Sequence, residues 1–468
     1  MSRLHLPVSF GKNTDQLLAM IEGSDPSQSY DLLANLKNLG KSESEIVSLL
    51  ALSSAKWIDH SGPYIGHGIL NANPTLRSIE LMAGDDADLP LLQMSMYVSE
   101  LMRHPNYGPY EMQQIEGIEG DSETETAADL SKAIRSGSSR YMAEKLFTGL
   151  YSQAGRSTGE YLLYEALMQY GENEHRLLLP YHTIKLLERN NWENAVTCLR
   201  PTVQYLSANP DISHGVKAEQ LSKTVDFGEI ISRGDAFDQE NSYDLTRMLL
   251  NSVLGNEMIV LADYAKRSTL QDMYEAIALS STILLLNSDL EQHSVTGKHC
   301  ILSMIKDRDL PDRIKKIALL SSLEGPRARR IKAYILKSLD AYMKVPDIPE
   351  TASEEDLLSR LEGEILKGQQ ENAFKLSGSY VRSGYSTDRL AKALLSICFR
   401  TESPFESLHT SKMLVGMRDV TVSSESDMKW IHLAAASRFV AEMVKKEKAA
   451  SKTAMEYYRK YREIVGTD

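Results

Sequence analysis

The sequence predicts an all-α protein, and three observations carry that prediction: the residue usage, the spacing of apolar side chains, and a turn signature that returns along the 468 residues. Met (19) and Tyr (22) outnumber Phe (8), and runs of β-branched residues are scarce, so the composition favours helix over sheet. With 42% hydrophobic and 25% charged residues, the chain has the makeup of a globular protein able to bury a large core.

The repetition is visible within the chain itself. Gly40-Lys41-Ser42-Glu43-Ser44-Glu45 leads to Ala51-Leu52 and then to His60 and His67. At an offset of 115 positions, without a gap, stand Gly155-Arg156-Ser157-Thr158-Gly159-Glu160, Ala166-Leu167, His175 and His182. At an offset of 342, Ala393-Leu394 and His409 fall in register with Ala51-Leu52 and His67, behind the turn Gly384-Tyr385-Ser386. A looser copy has Lys266-Arg267-Ser268 as its turn, Ala278-Leu279-Ser280-Ser281 in place of Ala51-Leu52-Ser53-Ser54, a short insertion over Leu284 to Asp289, and His299.

Each turn has a helix-ending and a helix-starting half. Glycine supplies the left-handed residue that closes a helix, and serine caps the next one with an acceptor three residues on. Ser42 with Glu45, Ser157 with Glu160 and Ser268 with Gln271 read as capping boxes, whereas Ser386 is followed by Arg389 and keeps only the cap. Leu32, Leu33, Leu36 and Leu39 before the first turn, and Ile46, Leu49, Leu50 and Ser53 after it, follow a 3.6-residue period. Pro63, Pro180 and Pro404 precede the closing histidines, which places those histidines in the first two turns of a third helix.

The expectation is one helical-repeat domain over residues 1–468, in four copies at about 1–115, 116–212, 213–345 and 346–468. Gly120 to Thr126, Asn209 to Ser213 and Pro346 to Ser353 are the connectors. Such units bury their apolar faces by stacking, which predicts a superhelical or closed bundle.

Histidine is the residue that makes the repeat chemical. Seven of eleven histidines fall in the segments Asp59 to His67, Glu174 to His182, Glu291 to His299 and Thr401 to His409. Position −7 from the closing histidine is His60, His175, Gln292 and Glu402, and the third copy adds His293 at −6. Residues seven apart on a straight helix stand roughly 10 Å apart along its axis, too far for one metal ion. A break before the helix would let His60 and His175 fold back from a loop towards the helical histidines. The positive end of a helix also keeps imidazole neutral, the form a metal needs.

The candidate ligands are therefore His60, His67, His175, His182, His293, His299, His409 and Glu402, with Asp59, Glu174 and Glu291 orienting imidazoles from behind. A donor set of imidazoles and carboxylate without thiolate suits iron, manganese, zinc or copper. Cys300 adjoins His299 but points about 100° away on a helix, so it is not counted as a ligand. The competing reading makes these histidines structural, capping helices or bonding across stacked copies.

Other classes find little support. A net charge of −12 argues against a nucleic-acid partner, since a phosphate backbone calls for a cationic surface. Residues Met1 to Pro7 lack the apolar core of a signal peptide, and no stretch approaches about eighteen uncharged apolar residues. The expectation is a cytoplasmic protein outside the membrane. Cys198, Cys300 and Cys398 form no C-x-x-C pair, which fits a reducing compartment. Gly40-Lys41-Ser42 ends like a phosphate loop, but Asn35 stands where its first glycine would be and a helix precedes it. No H-E-x-x-H, G-x-S-x-G or G-x-G-x-x-G occurs.

The recurring histidines in contexts such as Glu174-His175-Arg176-Leu177-Leu178-Leu179-Pro180-Tyr181-His182, followed by Trp192-Glu193-Asn194-Ala195-Val196-Thr197-Cys198-Leu199-Arg200-Pro201, resemble the questin-oxidase-like family over most of the chain. The resemblance implies an oxygen-using oxidoreductase, a monooxygenase of Baeyer–Villiger type acting on an aromatic or polyketide-like compound. No Rieske motif accompanies it, and Glu402 stands where a histidine is expected. The leading expectation is a redox metal, iron first, held by the histidines, with apolar helix walls around a small organic substrate. A helical-repeat scaffold for a protein partner and a zinc hydrolase are the alternatives, and the oligomeric state stays open.

Overall fold

The computed structural model describes residues 6–62, 65–84, 86–137, 139–234, 236–288, 291–325, 331–332, 338–343, 352–447 and 451–466. Pro63, Asp289 and residues 346–351 of the last connector lie outside the described residues. The chain is all-α: helices pack on helices, and the only extended pairing among the described residues is an isolated bridge between Pro7 and Gln113. No helix is long and apolar enough to cross a membrane.

Sixteen helices build the part that matters for the site. They are α1 (Ser29–Asn38), α2 (Glu43–Trp57), α3 (His67–Met82) and α4 (Asp88–Arg103); α5 (Arg140–Ala154), α6 (Thr158–Gln169), α7 (His175–Arg189) and α8 (Ala195–Ser207). There follow α9 (Glu257–Tyr264), α10 (Leu270–Leu286), α11 (His293–Lys306) and α12 (Asp312–Ser321), then α13 (Gln370–Arg382), α14 (Thr387–Thr401), α15 (Pro404–Ser423) and α16 (Trp430–Lys446).

The local chemistry of the starts is visible in the caps. Ser42 and Glu45 form the expected capping box at α2, and Ser386 caps α14 through the Arg389 N–H without a box. At α10 the box is shifted by one residue, Thr269 with Asp272, where Ser268 and Gln271 were expected. Ser157 makes no cap bond, because residues 155–157 wind into a 3₁₀ turn that runs directly into α6. Gly40, Gly155 and Gly384 take φ of +75°, +56° and +77°, the left-handed conformation that lets the preceding helices end. Leu39 departs from its stripe: it is the C-cap of α1 and points to solvent, while Leu32, Leu33 and Leu36 are buried.

Four inner helices close a ring. α3 packs on α7, α7 on α11, α11 on α15 and α15 back on α3, and each is backed by the helix before it, α2, α6, α10 and α14. The third helices tie one segment to another: α8 packs on α2, α12 on α6, α16 on α10 and α4 on α14. The inner helices run the same way, since their first residues meet at one end and Arg189 pairs with Glu80 near the other ends of α7 and α3. Buried Leu70, Leu178, Leu179, Ile301, Leu408 and Met413 pack these helices. Each such side chain contributes about 1.5–3 kcal/mol on burial, which offsets the polar residues the ring also encloses.

Candidate metal centre

One end of the ring gathers a histidine from each inner helix. His67, His175 and His293 are the first residues of α3, α7 and α11, and His409 stands in the second turn of α15. A nitrogen from each of the four lies within 4.8 Å of the others. Around the group the ring centroids are 4.9 Å apart for His67 and His175, 4.6 Å for His175 and His293, 5.8 Å for His293 and His409, and 4.4 Å for His409 and His67. Exposure is 2–7% for the four residues, and Phe405 packs on both His67 and His409.

The outward-facing nitrogens decide what the inward-facing ones can do. His293 Nδ1 lies 2.8 Å from Glu291 Oε1, His175 Nδ1 lies 2.9 Å from Asn173 Oδ1, and His409 Nδ1 lies 2.8 Å from the Phe405 carbonyl oxygen. All three partners are acceptor oxygens, so in the neutral rings Nδ1 carries the proton and Nε2 is left with its lone pair. His67 Nδ1 has no hydrogen-bond partner among the described residues. The Nε2 of His175 faces the Nε2 of His67 at 2.9 Å and that of His293 at 3.1 Å. The 3.1 Å approach between His175 and His293 sets two lone pairs against each other unless a cation lies beside them.

The same end of the ring disfavours protons as that cation. Burial pushes the His67 pKa well below the ordinary imidazole value, with the neighbouring His409, His175, Lys412 and His293 adding to the effect. Helix starts present N–H groups and positive dipole ends, which further disfavour imidazolium and favour any anion bound alongside. Four imidazoles with converging ring nitrogens, of which burial keeps His67 neutral, fit a metal that accepts nitrogen ligands.

The eight proposed ligands separate along the helices. His67, His175, His293 and His409 come together, and His60, His182, His299 and Glu402 stand outside their group. The reason is where each inner helix begins. α3 starts at His67 and α15 at Pro404, so the closing histidine falls in the first turn of one and the second turn of the other; α7 and α11 start at His175 and His293, so there the opening histidine takes the helix start. Pro180 sits inside α7 instead of at its start, and no loop separates His175 from His182. His182 and His299 are therefore carried along the helices, away from the group, by about 1.5 Å per residue.

The other candidates have local partners. His60 lies in the loop before α3, fully buried, with Nε2 3.4 Å from the Ser54 carbonyl, and burial lowers its pKa to about 4. His182 Nε2 lies 3.8 Å from Cys300 Sγ, and His299 Nε2 lies 3.2 Å from Asp419 Oδ2. Glu402 ends α14 and accepts a hydrogen bond from Thr410 Oγ1 at 2.7 Å. Of the acids, Glu291 holds a ring of the group; Asp59 bonds Ser61 and pairs with Arg140 at 3.0 Å, and the Glu174 carboxyl lies against Gly325.

Two residues that sequence reasoning passed over, Asn173 and Lys412, act on the group beside the expected Glu291. Asn173 Oδ1 accepts from both the backbone N–H and the ring Nδ1 of His175, and Glu291 Oε1 does the same for His293. Both stand two positions before a helix-opening histidine, as capping residues do, and that spacing was the available signal. Lys412, one turn beyond His409, is buried in the ring at 3% exposure.

Further along the ring a cavity of about 450 Å³ opens between α3, α7 and α15. Its lining includes Arg77, Lys185, Arg189 and Lys412 against the acids Glu80 and Glu188. The apolar walls expected around a substrate are not what this cavity offers; charged side chains reach it from three inner helices. No family model, curated protein sequence or solved structure matches the chain.

Proposed function

We propose that this protein is a metal-dependent oxidoreductase, with iron held by His67, His175, His293 and His409, that uses oxygen as a monooxygenase on an aromatic or polyketide-like compound. The observation that supports it is the convergence of Nε2 atoms whose rings are held, through Nδ1, by Glu291, Asn173 and the Phe405 carbonyl. The four nitrogens lie within 4.8 Å of one another, close enough to share one ion that takes nitrogen ligands. The choice of iron rests on the resemblance to the questin-oxidase-like family.

A bound redox metal would supply oxygen binding and electron transfer. The chain's own part is to present neutral imidazoles, fix their rotation and keep bulk water away. Glu291 and Asn173 do the first two by accepting the Nδ1 protons, while Phe405 and Tyr97 pack beside the group. The oxygen reactivity and substrate class in this reading rest on the resemblance to the questin-oxidase-like family.

Elemental analysis of the purified protein, combined with oxygen uptake on a panel of hydroxylated aromatic compounds, tests the reading. Near-stoichiometric iron and substrate-dependent oxygen uptake are the expected results. Zinc without oxygen uptake would move the reading to a hydrolase. Protein that takes up no metal and keeps its stability when His67 and His175 are both replaced by Ala would leave a helical scaffold.

A further inference from the structure

We propose that Phe405 decides which molecules reach the four-histidine group: its ring is a door on the solvent side, which small molecules the size of oxygen or azide pass and larger ones do not. That the molecule admitted is oxygen rests on the oxidoreductase reading; the route itself stands on the geometry around Phe405.

The place of the ring follows from where α15 starts. α3, α7 and α11 open on their histidines, but α15 opens at Pro404, more than a turn before His409, with Ser403 capping it through the Glu406 N–H. That extra turn carries Phe405 over the group. Its ring centroid lies 4.2 Å from that of His409, 5.9 Å from that of His67 and 5.8 Å from that of Tyr97. Phe405 is nevertheless 43% exposed, while Tyr97 is 3% exposed and the four histidines 2–7%. Part of the side chain meets the imidazoles and part of it meets water.

Among the described residues the other approaches are closed. Toward the cavity, the next turn of the inner helices holds Leu70, Leu178, Thr296 and Lys412, each 0–3% exposed. Asn173 and Glu291 hold His175 and His293 at 2.9 and 2.8 Å, and Tyr97 Oη accepts the His67 backbone N–H at 3.4 Å. Hydrogen bonds tie those side chains in place. The Phe405 ring makes none: the residue's carbonyl accepts from His409 Nδ1, so its backbone is held, while the ring is kept by aromatic contacts alone. Such contacts are weak, and a side chain open to water on one side changes rotamer quickly.

Such a door leaves two signatures. A molecule small enough to sit beneath the ring lets the door close again, so removing the ring speeds its entry and its exit by one factor and leaves its affinity alone. A larger ligand has to hold the ring aside for as long as it stays bound, so removing the ring raises its affinity as well.

Phe405→Ala and Phe405→Trp test the route with and without metal. In chelator-stripped protein, diethyl pyrocarbonate labels accessible imidazoles, and peptide mass spectrometry reads each histidine separately. Labelling of His67 and His409 should speed up at least about tenfold in Phe405→Ala and slow down in Phe405→Trp, while His182 keeps its rate. In iron-loaded Phe405→Ala, stopped-flow absorbance should show azide binding and leaving at least about tenfold faster, with its Kd unchanged within about twofold, and 4-phenylimidazole bound at least about tenfold more tightly. Circular dichroism and iron content should match the unchanged protein in both variants. Rates indifferent to both substitutions, or a rise at His182 equal to that at His67, would overturn the proposal. Labelling that follows the substitutions in protein that takes up no iron would support the route and count against the four-histidine reading; iron uptake with labelling and azide rates that ignore them would do the reverse.

Discussion

His293 is gripped from one side and aimed from the other: its Nδ1 lies 2.8 Å from Glu291 Oε1, and its Nε2 faces the Nε2 of His175 at 3.1 Å. A carboxylate behind a ligating imidazole fixes the tautomer and raises its basicity, and losing such a partner costs about 10–100-fold in metal affinity. Glu291→Leu should therefore weaken iron binding by that factor in a chelator competition, as should Asn173→Leu behind His175. Glu291→Gln keeps an acceptor oxygen and should lose less than about tenfold. Unchanged affinity in both leucine variants would show that the Nδ1 contacts do not serve a metal.

The division of the histidines into two sets makes the next expectation sharp. His67→Ala with His175→Ala removes two of the four converging nitrogens, so metal content by mass spectrometry should fall to background. His182→Ala with His299→Ala alters residues outside that group and should leave metal content at its full value. If the second pair abolished metal binding and the first did not, the centre would have been placed at the wrong level of the ring.

How far the sequence reaches is shown by those same residues. The all-α class was legible because turn glycines, capping serines and apolar spacing are local signals that agree with one another. Histidine was legible as the recurring polar residue, and the four that meet were all among the candidates. Which four was not legible. That choice depends on the residue at which each inner helix begins, which cap chemistry and packing decide together. Pro180 shows the difficulty: a proline that favours a helix start is instead held within α7, six residues into the helix that His175 opens. Asn173 was missed because the capping position it shares with Glu291 is defined only once the helix start at His175 is known; Lys412 was missed because its place three residues after the closing histidine is Leu70, Lys185 and Leu302 in the other segments and marks no constant feature of the repeat.

Close packing beside the site yields a stability test. A Cβ on Gly68 would stand 2.4 Å from Ser54 Oγ and 3.2 Å from Val98 Cγ2, where α2 and α4 press on the first turn of α3. Ser54 Oγ also accepts the Ile69 N–H at 3.2 Å, so it is not free to turn aside. Gly68→Ala should destabilise by about 1–3 kcal/mol in urea unfolding and, because His67 is the adjacent residue, weaken metal binding as well. Gly363→Ala is the control: a Cβ there meets nothing within 4 Å, and replacing a helical glycine should add up to about 1 kcal/mol.

Glu402 gives the pH dependence. Burial raises its pKa from 4.5 to about 8, with Glu406 adding to the rise and the Thr410 hydrogen bond opposing it. Between those two values the folded chain holds a proton that the unfolded chain releases, so this group's contribution to stability is complete below pH 4.5, declines as the pH rises and levels off above pH 8. At pH 7 the loss is on the order of 3 kcal/mol for a side chain with no exposure to water. Glu402→Gln keeps the shape and an oxygen for Thr410 but has no proton to lose. In urea unfolding the variant should match the unchanged protein near pH 5 and exceed its stability at pH 8. Its metal content should not change, because Glu402 lies outside the four-histidine group. A stability gap that is the same at both pH values would mean that Glu402 ionises freely in the folded chain.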